Sequence, residues 1–271
     1  MQSNPFLTSN QFDGLLRMEI RVLGCSGGIG RPAATTSFLI DQDVLVDAGS
    51  GVMDLDLAEM AQIDHVFLTH AHLDHVVSLP LMADSVGAAR SKPLAVYARP
   101  ETIDVLRRHM FNNSLWPDFT VIPTPEQPFI TLHEVPVGEE TVVGGRRLRS
   151  VAVNHTVPAV AWFVSSSTGT WAFSGDTAAT DDFWAIANEI ADLRCLVIET
   201  TFPDEQEELA GISKHLCPRA LAGELAKLRS GSDVFLTHLM PGMEDEIMAQ
   251  VRAHLPKREL RSLSRQQRII I

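Results

Sequence analysis

The chain has 271 residues, 45% of them hydrophobic, and a formal net charge of −12. Its apolar residues suit a globular core and nowhere form a run long enough to span a bilayer. The acidic balance opposes non-specific binding to a nucleic-acid polyanion, while leaving room for a phosphate substrate if bound cations reverse the sign locally. Cys25, Cys195 and Cys217 are the only cysteines, and none lies in a CxxC pair. That usage argues against a disulfide framework and for a reducing, cytoplasmic setting.

Residues 1–17 are polar and lack the basic start and apolar stretch of a secretory signal. They are expected to form a flexible arm ahead of a single domain over 18–271. Glu19-Ile20-Arg21-Val22-Leu23 alternates and predicts the first strand. Gly24-Cys25-Ser26-Gly27-Gly28-Ile29-Gly30 follows. A glycine-rich loop after a strand is half of a dinucleotide signature, but Pro32 stands where the helix should begin and no helical period follows. A tight loop between two strands is the better expectation. Thr36–Ile40 and Val44–Asp47 predict a hairpin about Asp41-Gln42-Asp43, with a short helix near 52–61.

Ile63-Asp64-His65-Val66-Phe67-Leu68-Thr69 then reads as a strand running into His70-Ala71-His72-Leu73-Asp74-His75. Imidazole nitrogen and carboxylate oxygen are the donors that zinc and neighbouring transition metals accept. In extended chain, residues i and i+2 point the same way, so His70 and His72 can grip one cation. Asp74 and His75, where the chain must turn, can face a second.

Beyond this point the pattern predicts a helix over 79–89, a strand over 94–98 and a helix from Pro100 to Met110. Residues 111–119 form a polar, aromatic loop, and Pro123, Pro125 and Pro128 keep the next segment irregular. Strands are expected over 129–135, 141–143 and 147–153, the last leading to His155. A hairpin over 162–165 and 171–173 ends in Ser174-Gly175-Asp176-Thr177. A helix over 181–190, a buried strand over 195–199, a helix over 218–228, a strand over 234–238 and a helix over 244–254 complete the chain. Val66–His70 and Val234–His238 share the sequence Val-Phe-Leu-Thr-His. Both deliver a histidine at the carboxyl end of an apolar strand, which suggests two sheets aiming ligands into one cleft. His65, His109, His133 and His254 lack such placement and read as surface or boundary residues. Collecting the strand ends gives His70, His72 and His155 on one metal, Asp74, His75 and His238 on a second, and Asp176 bridging them, with positions left open for water.

The pattern His70-x-His72-x-Asp74-His75 with downstream His155, Asp176 and His238 resembles the metallo-β-lactamase fold hydrolases, over nearly the whole chain from Met18. The resemblance implies an α/β, four-layer αβ/βα sandwich: two mixed sheets packed face to face with helices outside. Ile198-Glu199-Thr200-Thr201-Phe202, Ser213-Lys214-His215-Leu216 and Leu236-Thr237-His238 are similar to the phosphodiesterase branch shared by ribonuclease Z and class II cyclic-nucleotide phosphodiesterases. In that branch His238 is a metal ligand, and His215, oriented by Glu199, gives a proton to the leaving oxygen. By spacing alone His215 could equally be a seventh ligand. The 111–119 loop and Phe202-Pro203 with His215-Leu216-Cys217-Pro218 resemble the cyclic-nucleotide group.

The activity so implied is hydrolysis of 3′,5′-cyclic AMP or GMP to a 5′-nucleotide. A hydroxide generated at two divalent cations would attack phosphorus, and Asp74 would orient it or accept its proton. Zinc is the expected metal, with manganese or iron the alternatives. Asn112, Asn113 and Trp116 could contact the base, or could simply build a loop that covers the core. A ribonuclease Z-like nuclease is the alternative activity, and a thioesterase or lactamase ranks lower because neither needs the His215–Glu199 pair. The expected partner is a small phosphodiester, not a membrane; nucleic acid is disfavoured by charge without being excluded. The resemblance also implies a possible homodimer. Lys257, Arg258, Arg261, Arg265 and Arg268 form a basic cluster that reads as a solvated face or an oligomer contact.

Overall fold

The computed structural model describes residues 17–271. The arm expected over 1–17 therefore lies, except for Arg17, outside the described residues.

The chain builds β1 (Glu19–Gly24), β2 (Ser37–Ile40) and β3 (Val44–Val46), then α1 (Leu57–Gln62), β4 (His65–Phe67), α2 (Leu73–Val76), α3 (Ser78–Val86), β5 (Leu94–Ala98) and α4 (Pro100–Val105). A small hairpin, β6 (Pro123–Thr124) and β7 (Gln127–Pro128), precedes β8 (Ile130–Glu134). The second half holds β9 (Glu140–Val143), β10 (Arg146–Val153), β11 (Ala159–Ser165), β12 (Thr170–Phe173), α5 (Asp182–Glu189) and β13 (Leu193–Glu199). It ends with α6 (Glu207–Ser213), α7 (Pro218–Leu225), β14 (Asp233–Thr237), α8 (Glu244–His254), β15 (Arg261–Ser262) and β16 (Arg268–Ile270).

Two seven-stranded sheets result, ordered β16-β1-β2-β3-β4-β5-β8 and β15-β14-β13-β12-β11-β10-β9. Each is antiparallel at one side and parallel at the other: β3 through β8 in the first, β12 through β15 in the second. Parallel neighbours need crossovers, and helices occupy them. Three apolar layers show the stacking. Val22, Phe38, Val46 and Phe67 of the first sheet meet Val160, Trp162, Trp171, Phe173 and Val197 of the second. The other face of the first sheet packs on Leu79, Met82, Ile103 and Leu106, and that of the second on Phe183, Leu221, Leu225, Ile247 and Val251. This is the four-layer sandwich with helices outside. Strands buried on both faces lose alternation, which is why Ser37–Ile40 and Val44–Val46 are buried throughout.

The sheets are locked edge-to-face by aromatic rings: Phe38 lies 5.3 Å from Trp171 and 4.9 Å from Phe173, and Phe67 lies 5.2 Å from Trp162. Trp162 also donates from Nε1 to the Leu68 carbonyl at 3.1 Å, tying the second sheet to the backbone just ahead of the histidine-rich turn.

Several boundaries differ from expectation for local reasons. The helix near 52–61 divides into a 3₁₀ turn over Ser50–Asp54 and α1, because Asp56 starts α1 with its own capping box: its carboxylate accepts from Glu59 N and that of Glu59 from Asp56 N. β4 ends once the ladder does: Leu68 N still donates to Tyr97 O of β5, but Thr69 N turns to the Asp47 carboxylate. α6 and the two C-terminal strands carry too little apolar periodicity to be read from sequence. β16 pairs antiparallel with β1, Glu19 opposite Ile270. Of the basic C-terminal residues expected on a solvated face or oligomer contact, Lys257, Arg261 and Arg268 are exposed, and several of the arginines also pair within the chain. Arg268 pairs with Glu19, Arg265 with Asp54 and the Pro32 carbonyl, and Arg258 donates to Leu225 O. Arg261 lies over the Phe235 ring at 5.4 Å. These arginines fasten the last strands to the body of the chain.

Among the described residues no helix is long and apolar enough to cross a membrane. Trp162→Phe removes the donor to Leu68 O while keeping most of the ring, so it should lower stability by about 1–3 kcal/mol, read as a shift in urea midpoint at unchanged slope.

Candidate metal centre

The repeated pentapeptide ends two strands in different sheets, β4 between β3 and β5 and β14 between β13 and β15. Both present their carboxyl ends to the same edge of the sandwich. His238 takes a left-handed backbone (φ 64°), and its amide donates to Cys25 O at 2.8 Å. The glycine-rich loop explains itself here. A Cβ on Gly27 would lie 2.8 Å from the His238 carbonyl and 3.0 Å from its Nδ1. The loop joins β1 to β2 and carries glycine so that it can lie against His238.

Asp176 lies at the centre, 1% exposed. Its Oδ2 is 3.3 Å from His75 Nε2, 3.3 Å from His238 Nε2, 3.8 Å from His70 Nε2 and 4.0 Å from His155 Nε2. Asp74 Oδ2 faces the same two rings on one side, 3.5 Å from His75 Nε2 and 3.2 Å from His238 Nε2. On the other side His155 Nε2 stands 3.2 Å from His72 Nδ1. Donor atoms group as His70, His72 and His155, and as Asp74, His75, Asp176 and His238, each group within 4.8 Å. All seven residues named from sequence as ligands thus meet at one place.

The surrounding hydrogen bonds fix which ring nitrogen points inward. Thr69 Oγ1 donates to Asp47 Oδ2 (2.8 Å), so toward His70 Nδ1 (3.0 Å) that hydroxyl can only accept. His75 Nδ1 donates to Asp47 Oδ2 at 2.7 Å and His155 Nδ1 to Lys214 O at 3.2 Å. Thr201 Oγ1 donates to Glu199 Oε2 (2.9 Å) and accepts from His238 Nδ1 (3.0 Å). With every Nδ1 proton so committed, four Nε2 lone pairs turn toward one carboxylate. Such an array is repulsive unless positive charge lies inside it. Accordingly His70 Nε2, His75 Nε2 and Asp176 Oδ1 are buried without a hydrogen-bond partner. The donor set fits divalent cations.

Titration in the metal-free chain follows the same charges. Burial works against the ionised forms, but His238, His75 and His70 together hold Asp176 well below the usual carboxylate range. Burial disfavours a charged His75, yet Asp176 and Asp47 outweigh it and raise the ring well above the ordinary histidine value, so a proton there stands in for a cation. His70 moves far down, through burial first and then the charge on His75.

His215 stands beside this cluster, its donor atom grouped with those of His155 and Asp176. Its Nδ1 donates to Glu199 Oε1 at 2.8 Å. Glu199 is fully buried and accepts in all from Thr177 N, Leu216 N, the Thr201 hydroxyl and His215. Burial would lower the His215 pKa, but Glu199, helped by Asp176 and Asp74, raises it to about 9.

Asn112, Asn113 and Trp116 lie in their own loop. Asn112 Oδ1 accepts from Ser114 N and Leu115 N, its amide donates to Arg108 O, and Asn113 Oδ1 accepts from Asp118 N. Trp116 packs on the core beneath the first sheet. The Asn112 amide and the Asn113 side-chain carbonyl hold the loop together, while the exposed Asn113 amide nitrogen makes no hydrogen bond among the described residues. Residues that sequence reasoning passed over are Asp47, Thr69, Thr201 and Lys214. Asp47 gave a usable signal, since it ends the apolar strand Val44–Val46 as His70 follows β4; the threonines gave none. A cavity of about 950 Å³ lies at the opposite ends of the strands, where Arg21, Asp41, Asp43, Glu59 and Arg146 mostly pair with one another.

Residues 42–239 match the family model described as a beta-lactamase superfamily domain. The chain belongs to that family, and its sandwich is the metallo-β-lactamase fold. A Yersinia pestis protein named probable 3′,5′-cyclic-nucleotide phosphodiesterase is 26% identical over 83% of this chain and 79% of its own length. A ribonuclease Z from Clostridium beijerinckii is 30% identical over 41% of this chain and 39% of its own. The crystal structure of unliganded yeast PDE1 superposes with a TM-score of 0.80 over 94% of this chain and 99% of that one, at 19% identity, which speaks for the fold.

Asp47→Asn should weaken metal binding by about 10- to 100-fold, measured by chelator competition, because His75 loses its carboxylate partner. A second expectation concerns the metal-stripped protein. The folded pKa of His215 (about 9) exceeds the ordinary value of 6.5, so its ion pair with Glu199 contributes fully below pH 6.5 and is lost as pH rises through 9. His215→Gln should shrink that alkaline loss in urea unfolding followed across this range, leaving the part contributed by the raised pKa of His75.

Proposed function

We propose that the chain is a phosphodiesterase that works with two divalent cations, zinc by preference, and that its substrate is a small cyclic nucleotide. The observation that carries this reading is the His215–Glu199 pair, a charged acid held beside the ligand cluster through a carboxylate outside it. Cleaving an alkyl phosphodiester expels an alkoxide, which needs a proton, whereas the thiolate of a thioester leaves without one.

His70, His72 and His155 would hold one cation, Asp74, His75 and His238 the other, with Asp176 between them. When bound, the cations would polarise the phosphoryl oxygens and lower the pKa of water. Asp74, half-buried where Asp176 is fully buried, is positioned to orient the attacking water and take its proton. His215 keeps its Nδ1 proton on Glu199 and gives the one on Nε2 to the departing oxygen. Thr177 N and Leu216 N hold Glu199 still while it does so.

The cyclic-nucleotide preference draws support from the Yersinia pestis relative, which aligns over most of both chains, and from the charge of −12, which is unfavourable for a long polyanion. The ribonuclease Z relative supports the alternative of a nuclease. Zinc-loaded protein should hydrolyse bis(p-nitrophenyl) phosphate and 3′,5′-cyclic AMP, and leave precursor transfer RNA and nitrocefin intact. Transfer-RNA cleavage without cyclic AMP turnover would replace the substrate assignment, and nitrocefin turnover alone would overturn the phosphodiester reading. His215→Ala should cut cyclic AMP turnover by about 10²- to 10⁴-fold at unchanged metal content; loss of one metal equivalent would make His215 a ligand instead.

A further inference from the structure

The two sheets carry the same polar device at their ligand-bearing edges. In the first, the buried carboxylate of Asp47 accepts directly from His75 and, through the Thr69 hydroxyl, indirectly from His70. In the second, the buried carboxylate of Glu199 accepts directly from His215 and, through the Thr201 hydroxyl, indirectly from His238. One carboxylate, one threonine and two histidines recur, with matching distances of 2.8 and 2.9 Å from threonine to carboxylate and 3.0 Å in both from threonine to the indirect ring. The copies differ in what the directly bonded histidine does. His75 faces Asp74 and Asp176 within the cluster, whereas His215 stands at its side.

From this correspondence we infer that Thr201 is a positioning residue that couples a metal ligand, His238, to the proton donor, His215; the inference rests on the phosphodiesterase reading. Thr201 is 1% exposed, and its hydroxyl has one proton to give. Glu199 can only accept, so the proton goes there, and the oxygen is left to accept from His238 Nδ1. The hydroxyl therefore holds His238 in the tautomer whose Nε2 lone pair faces the cation site. The same oxygen lies 3.2 Å from His215 Nδ1, so it also limits the rotation of that ring about its bond to Glu199. The two rings are stacked, centroids 5.1 Å apart and planes 18° from parallel, and Thr201 joins them along one edge. Neighbouring threonines do not share this work: Thr200 and Thr237 donate to the backbone carbonyls of Leu216 and Cys25. Glycine, valine or alanine at 201 would leave the His238 Nδ1 proton with no acceptor among these groups and Glu199 Oε2 with one donor fewer.

Two readouts separate this role from a merely structural one. The first is zinc affinity by chelator competition. The second is the ratio of turnover of 3′,5′-cyclic AMP, whose ribose oxygen leaves only with a proton, to that of bis(p-nitrophenyl) phosphate, whose phenolate leaves without one. Thr201→Val should weaken zinc binding by about 10- to 100-fold and depress the turnover ratio at saturating zinc, and Thr201→Ser, which keeps the hydroxyl, should restore both. Wild-type zinc affinity in Thr201→Val, or an equal loss in Thr201→Ser, would overturn the inference, as would equal losses on the two esters. If Thr201→Val fails to fold by circular dichroism, Thr201→Ala removes the same hydroxyl and is read in the same way. Should the wild type cleave neither ester, the phosphodiesterase reading falls, and zinc affinity alone then decides whether Thr201 sets the His238 tautomer.

Discussion

A single buried oxygen organises this molecule. Asp176 Oδ2 lies within 4.0 Å of four imidazole nitrogens that come from both sheets, and the Nδ1 hydrogen bonds turn each of those rings inward. Several acceptors facing one carboxylate in a low-dielectric interior would repel one another, so the arrangement is tolerable only with positive charge at its centre. In the metal-free chain a proton on His75 supplies part of that charge. The rest of the architecture can be understood as the means of bringing two sheets close enough for this convergence.

The interlayer core does that mechanically. Phe38, Phe67, Trp162, Trp171 and Phe173 interlock edge-to-face between the sheets, and the Trp162 indole reaches across to the backbone one residue before Thr69. The ligand turn therefore hangs from the aromatic core. Packed cores resist continuous deformation, so this attachment holds donor atoms to a few tenths of an ångström, which metal coordination demands. The chain closes the same way, with β16 paired to β1 and its arginines bound to Glu19, Asp54 and backbone carbonyls.

The electrostatics divide the cleft into two functions. Asp74 and Asp176 face the histidines and attract cations, while Glu199 faces away and keeps positive charge on His215. On the proposed function, an acidic chain would attract a phosphodiester only through the cations it binds, and would place its own proton next to that charge. Asp47 with Thr69 and Glu199 with Thr201 form one local device used at both ends: a carboxylate behind a histidine orients a cluster ring in one sheet and keeps charge on His215 in the other.

The seven cluster residues were legible in the sequence because His70, His155, Asp176 and His238 follow apolar strands and His72, Asp74 and His75 fall within five residues of the first of them, both local properties. His70, His72, Asp74 and His75 declared themselves by spacing, and His155, Asp176 and His238 by what precedes them. The layers were legible by resemblance. The split of the helix near 52–61 was not anticipated, nor were α6 and the returning strand β16, because a capping box and a distant pairing partner decided them. Thr69, Thr201 and Lys214 stayed hidden for a related reason: a hydroxyl or carbonyl behind a cluster ring has no periodicity and no characteristic spacing. What the sequence alone determined is which side chains can bind a cation and on which strands they ride. Only the tertiary structure decided which nitrogen of each ring points inward, because that depends on hydrogen-bond partners as far as 59 residues away in the chain, as between His155 and Lys214, which meet only once the sheets have packed.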